Sequence, residues 1–182
     1  MTLRLVLLCA GASTAMRDAR FADDDDELDE GGRAKLGAFR IPGPPAEHCF
    51  TSPARTARES AGLLGIAAVE AAALRDRDAG DWTGSPLSAL PPDALGLWLA
   101  DPVQAMPGGE SMAAVQARVG AWIDGLGEGR VLAITHAAVV RAAIAHTLGL
   151  PLAATMDIDV APLSTTVLSH HGRWRLQELR RA

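Results

Sequence analysis

Tyrosine is absent from the 182 residues, and aromatic side chains together make up only 4%. A core without large rings has to be built mostly from Ala, Leu and Val. Cysteine is nearly absent too. Cys9 and Cys49 stand in apolar, strand-like stretches with no spaced framework around them. That excludes a disulfide-built scaffold and is what reduced thiols in a cytoplasmic protein look like. No apolar run approaches the ~20 residues of a membrane span. The opening run, about six residues long, is also too short for the apolar core of a signal peptide. The formal net charge of −5 lacks the basic excess that a nucleic-acid surface needs. The five histidines are scattered rather than set at metal-ligand spacing. GASTAMR, after the first apolar run, lacks the spacing of a dinucleotide fingerprint. The expectation is therefore a chain with no metal, no cofactor, no nucleic-acid partner and no membrane segment. Its partner would be a small molecule, with an anionic ligand left open. Oligomeric state is not legible.

What is present is ordinary for a globular domain: 48% hydrophobic and 21% charged residues, enough chain for a full core in one domain spanning 1–182. Residues 3–9 form a run of strand length that is apolar apart from Arg4, the pattern of a strand buried on both faces. A polar loop follows, and its acidic run 23–27 reads as solvated. A helix is expected over 33–40, an extended turn at IPGPP (41–45) and a short strand over 48–52. Pro53 then suits the first position of a helix running to about Leu64, with Ser52 as its N-cap. Position in the chain suggests a third strand over 69–74. Residues 75–85 read as a loop, and 86–100 as a helix interrupted by a double proline. PGGES (107–111) feeds an amphipathic helix over 112–126, with Val115, Val119, Trp122 and Ile123 at helical spacing. A buried strand over 130–135, a helix over 137–148 ended by Gly149 and Pro151, and two strands at 165–169 and 174–179 joined by HHGR complete the pattern.

Strands alternating with helices predict a single-domain, three-layer α/β/α fold with a mostly parallel central sheet. Ligands of such sheets bind beyond the carboxyl ends of the strands. Three ends are candidates: 9–13, 52–58 and 135–136.

At these ends the sequence resembles the histidine phosphatase superfamily, the phosphoglycerate-mutase-like fold. LVLLCAGASTAMRDARF resembles the family's opening strand and catalytic turn. LDEGGRAKL resembles the start of its first helix, and TSPARTARESA its Ser-x-Leu-x-Arg-Ala-x-x-Thr-Ala segment. LRDRDAGDWTG resembles Leu-x-Glu-x-x-x-Gly-x-Trp-x-Gly. PGGESMAAVQARV and VLAITHAAVVRAAIAHTLGLP match the segments around the family's Glu-Ser turn and second histidine. The resemblance runs over nearly the whole chain and implies phosphoryl transfer through a phosphohistidine. Two arginines and a second histidine would hold the phosphoryl oxygens, and a carboxylic acid would protonate the leaving group.

The sequence departs from that pattern where the chemistry lies. Of Arg-His-Gly only Gly11 remains: Cys9 stands for the arginine and Ala10 for the nucleophilic histidine. The second arginine corresponds to Thr56 and the acid to Asp76, one methylene shorter than Glu, while the second histidine remains as His136. Ala10 has no lone pair to carry a phosphoryl group. The leading expectation is a degenerate member, a pseudophosphatase, that keeps the pocket and binds a small molecule there, or does other chemistry with His136 and Asp76 as an acid/base pair. The alternatives are a residual phosphomonoesterase using Cys9 or water, and a non-catalytic partner protein.

Several side chains remain open on the sequence alone. Cys9 is a nucleophile or a small buried apolar residue. Ser13 and Thr14 are ligand contacts, a hydroxyl activated by His136, or turn chemistry, and Thr56 is a polar contact. Glu110 binds in the pocket or caps its own helix. Arg17 and Arg20 reach the pocket from the loop or lie on the surface. Arg55 sits one residue, and therefore about 100° of helix, away from Thr56, and Arg58 points elsewhere again. Trp82 is packing or pocket wall.

Overall fold

The computed structural model describes residues 2–181. Six strands make one sheet: β1 (Thr2–Cys9), β2 (His48–Thr51), β3 (Val69–Glu70), β4 (Gly129–Thr135), β5 (Thr165–His171) and β6 (Trp174–Arg180). Their order is β3-β2-β4-β1-β5-β6. β3, β2, β4 and β1 run parallel. β5 and β6 return antiparallel as the hairpin expected at HHGR, where Gly172 turns the chain at φ +75°. Seven helices accompany the sheet among the described residues: α1 (Thr14–Arg17), α2 (Glu30–Ala38), α3 (Arg55–Leu63), α4 (Pro92–Ala100), α5 (Met112–Asp124), α6 (Ala137–Leu148) and α7 (Leu152–Met156). This is the expected single-domain α/β fold with a mixed, mostly parallel central sheet. No helix among the described residues is long and apolar enough to cross a membrane.

The period-two alternation of β1 explains the two covered faces. Leu3, Leu5, Leu7 and Cys9 turn toward α5 and α6, where they join Val115, Val119, Ile123, Val139 and Ile144. Val6, Leu8 and Ala10 turn the other way, onto Ala57 and Ala61 of α3. Neighbouring residues at the end of β1 therefore belong to different layers. Gly11 then carries the chain between Leu28 and Leu36, where an added Cβ would come within 2.9 Å of the Leu28 side chain.

The structure departs from the expected elements at four places. The helix expected over 33–40 starts earlier, at Glu30, because the Asp29 side chain caps it by accepting from Gly32 N–H at 2.6 Å. The helix expected from Pro53 starts instead at Arg55, with Ala54 at the cap position and no side-chain cap. Its first N–H groups find other partners: Arg55 N–H donates to the Asp24 carbonyl at 2.7 Å, and Ala54 N–H donates to Ser52 Oγ at 3.2 Å. The strand expected over 69–74 keeps only Val69–Glu70. Residues Ala72–Leu74 close into a turn of 3-10 helix, with Leu74 fully buried and its carbonyl accepting from Thr135 Oγ1 at 2.7 Å. The acidic run is solvated as expected at Asp23, Asp24, Asp25 and Glu27, all exposed, but Asp26 within it is buried, and Asp23, Asp24 and Asp26 border a cavity.

Candidate functional site

A cavity of about 430 Å³ opens beyond the carboxyl ends of β1 and β4, where an open α/β sheet places its ligands. It gathers Cys9, Ala10, Gly11, Ser13, Thr56, Asp76 and His136 from four separate stretches of chain. Thr14, Arg17, Arg20 and Glu110 do not line it. Parallel pairing of β1 with β4 sets Cys9 beside Thr135, which brings the small-residue turn opposite His136.

The turn after β1 is made of small side chains. Ala10 N–H donates to the Thr135 carbonyl at 2.8 Å, and Gly11 N–H donates to Ser60 Oγ at 3.1 Å. Ser13 caps α1 by accepting from Met16 N–H at 3.3 Å. Cys9 is buried, and its thiol is pushed up to about 12, by burial first and then by the nearby Asp76 carboxylate, against the opposing charge of Arg141. The thiol therefore stays protonated at neutral pH and is a poor nucleophile.

The four arginines near this turn are spent elsewhere. Arg17 pairs with Asp29 at 3.1 Å on the surface. Arg20 makes a two-pronged contact with Asp26, one prong at 3.0 Å from Nη1 to Oδ2. Arg55 bonds Glu59 at 3.0 Å and Glu27 at 2.8 Å, and Arg58 lies 3.8 Å from Glu70. None of the four lines the cavity.

His136 stands at the cap position of α6, straight after β4. Its Nε2 is 2.8 Å from Ser52 Oγ, and its Nδ1 is 3.7 Å from Asp76 Oδ2. Asp76 Oδ1 accepts from the Arg77 N–H at 2.8 Å. The loop carrying Asp76 is held by a polar network. Arg118 of α5 donates to the Ala73 carbonyl at 2.7 Å, to the Asp76 carbonyl at 3.1 Å, and to both oxygens of Glu110 at 2.8 and 2.9 Å. Glu110 Oε2 in turn accepts from the Asp78 N–H at 3.2 Å. Burial on its own would raise the Glu110 carboxyl, but the Arg118 guanidinium and the Asp78 N–H outweigh it and hold it below the usual range. Glu110 thus supports the pocket from behind. Arg77 donates to the carbonyls of Glu110 at 2.8 Å, Pro102 at 2.6 Å, and Gln104. Gly80 packs so tightly on the 107–109 turn, at φ +56°, that a Cβ would fall 2.2 Å from the Pro107 carbonyl oxygen. Trp82 is buried against Phe21 and Trp98 beside this loop, and it is packing rather than cavity wall.

Five aspartates line the cavity (Asp23, Asp24, Asp26, Asp76 and Asp78) against two arginines, Arg75 and Arg77. Arg77 is tied to three carbonyls. Arg75 lies 4.0 Å from Asp24 and 3.9 Å from Asp78. Asp26 is in turn paired with Arg20 from outside the lining, so the lining carries a net excess of carboxylates, with Arg77 tied to carbonyls and Arg75 within 4.0 Å of two of those carboxylates. No group of His, Cys, Asp and Glu among the described residues is disposed to hold a metal ion.

Sequence reasoning missed Ser52 as the partner of His136, because its place before Pro53 suggested a helix cap. It also missed the facing of the acidic run and the buried work of Arg118. Only the acidic run carried a visible signal, and its direction depends on how the loop folds back over β1.

Comparison with known proteins gives this pocket a family. Residues 5–181 match the Histidine phosphatase superfamily (branch 1), so the chain belongs to that family. No curated protein matches it. Among solved structures it is similar to a mycobacterial glucosyl-3-phosphoglycerate phosphatase, at 28% identity over 97% of both chains with a TM-score of 0.81. It is also similar to a phosphoglycerate mutase from Thermus thermophilus, at 27% identity over 98% of this chain and 99% of that one, with a TM-score of 0.79. A protein described as mycobacterial hydrolase 1 aligns at 28% identity over 98% of each chain, with a TM-score of 0.81.

Proposed function

We propose that this chain is a degenerate member of the histidine phosphatase superfamily, a pseudophosphatase that keeps the family's pocket without its phosphohistidine step and binds a small neutral or cationic molecule there. The observation that carries this reading is Ala10, packed by its methyl onto Ala57 and Ala61 at the turn where the family's resemblance calls for a nucleophilic histidine. Two further features support it. The cavity lining carries five aspartates, of which Asp26 is paired with Arg20, against two arginines, a poor cradle for a phosphate dianion. The Cys9 thiol, pushed up to about 12, is no substitute nucleophile, which weakens the reading as a residual phosphomonoesterase. Relatives named as phosphatase and mutase share the scaffold, and the activity in their names is not carried over to this chain.

The test is turnover and binding. We expect no hydrolysis of p-nitrophenyl phosphate and no saturable binding of inorganic phosphate. Cys9→Arg, Ala10→His and Thr56→Arg combined should create phosphatase activity if the pocket is otherwise that of the family. Hydrolysis by the unaltered protein that disappears in His136→Ala would overturn the proposal.

A further inference from the structure

The hydrogen bond between Ser52 and His136 determines more than the position of the ring. Ser52 is fully buried. Its Oγ already accepts from the Ala54 N–H at 3.2 Å. Its own hydroxyl proton then needs an acceptor, and His136 Nε2 stands within reach at 2.8 Å. Were Nε2 itself protonated, the hydroxyl would accept two N–H groups and leave its own proton buried without a partner, which is unfavourable. A neutral imidazole carries one proton, so it must then sit on Nδ1.

We propose that Ser52 is a positioning residue that holds neutral His136 as its Nδ1–H tautomer, so that the pocket meets a hydrogen-bond donor at that ring and not a base. Nδ1 is the nitrogen turned to Asp76, 3.7 Å from Oδ2, which is beyond a direct hydrogen bond. The pair therefore offers a donor and an acceptor side by side. A group that both accepts and donates, such as a primary amide or an alcohol, matches that edge. A phosphate dianion, which only accepts, places its charge against the Asp76 carboxylate. In that neutral tautomer His136 is unable to take a proton through Nδ1, and its Nε2 lone pair is occupied by Ser52. The inference deepens the proposed pocket chemistry, and its test uses no ligand, so it fails or stands separately from the phosphate measurements.

The experiment is two-bond ¹H–¹⁵N correlation of the histidine-labelled protein at about pH 8.5, above the ordinary imidazole value of ~6.5. The His136 signals are assigned by their loss in His136→Ala. We expect a pyrrole-like Nδ1 and a pyridine-like Nε2 in the unaltered protein, and a several-fold shift of population toward Nε2–H in Ser52→Ala. An Nε2–H tautomer in the unaltered protein overturns the proposal outright. So does a tautomer left unchanged in Ser52→Ala, because a purely packing role for Ser52 would lower stability without moving the proton. Ser52→Cys, close in shape but a weak donor, gives the same reading if the alanine variant does not fold.

Discussion

The two walls of the cavity are built in different ways. The wall formed by the end of β1 and the start of α3 consists of Cys9, Ala10, Gly11, Ser13 and Thr56. Its polar atoms are spent close by: Ala10 on Thr135, Gly11 on Ser60, Ser13 on its own helix. The wall formed by β4, α6 and the 75–82 loop is a connected polar structure. There Thr135 holds Leu74, Arg118 holds Ala73, Asp76 and Glu110, and Ser52 holds His136. The difference teaches that a pocket and its chemistry are maintained separately. Shape on the first side needs only small residues and close packing. On the second side, the shape of the loop depends on charged side chains, and the aim of His136 on the Ser52 hydroxyl.

That contrast predicts unequal sensitivity. The largest effect is expected for Arg118→Ala, which removes four hydrogen bonds and leaves the Glu110 carboxylate half-buried without its cation. A loss of about 2–3 kcal/mol of stability should appear in urea denaturation. A smaller effect is expected from acid. The Glu110 carboxyl is depressed in the folded protein, against the raising effect of burial, by Arg118 and the Asp78 N–H. Its contribution is thus fully present above its ordinary value near 4.5 and is lost as pH falls through the lower folded value. Stability followed from pH 7 downward should begin to fall near pH ~4.5, and Glu110→Gln should flatten that part of the curve. The smallest effect belongs to the other wall. Thr56 makes no side-chain hydrogen bond among the described contacts, and Thr56→Val should leave stability within about 0.5 kcal/mol. A Thr56→Val cost as large as that of Arg118→Ala would erase the distinction between the walls.

Much of the fold was legible before the structure. The strand-length run of β1, apolar apart from Thr2 and Arg4, the helical spacing along α5, and the strand-then-helix at VLAITHAAVV each carry a local signal, so local pattern and final position agree. The short β3 was not legible. VEAAAL has neither period, and only the burial of Leu74 under Thr135 decides that the chain turns there. For the site, the sequence placed Cys9, Ala10, Gly11, Ser13, Thr56 and His136 at strand and helix ends and Asp76 in a loop, and the fold brings these to one cavity. Arg17, Arg20 and Glu110 had the right neighbourhood in sequence but point to other partners, because one charged partner within reach settles where a long charged side chain goes.

By itself, then, the sequence determined which chemical groups exist at the mouth of this sheet. There is a thiol at the end of β1 and a methyl just after it, one histidine after β4, and aspartates in the loops between, because residue identity at a strand end follows from the chain alone. Tertiary structure decided what those groups can do. The thiol is raised by burial beside a carboxylate, Asp26 within the acidic run is buried, and a serine from another strand end takes one nitrogen of the histidine and leaves the other nearest Asp76. These depend on distances of a few ångströms between segments far apart in the chain, and no local pattern encodes them.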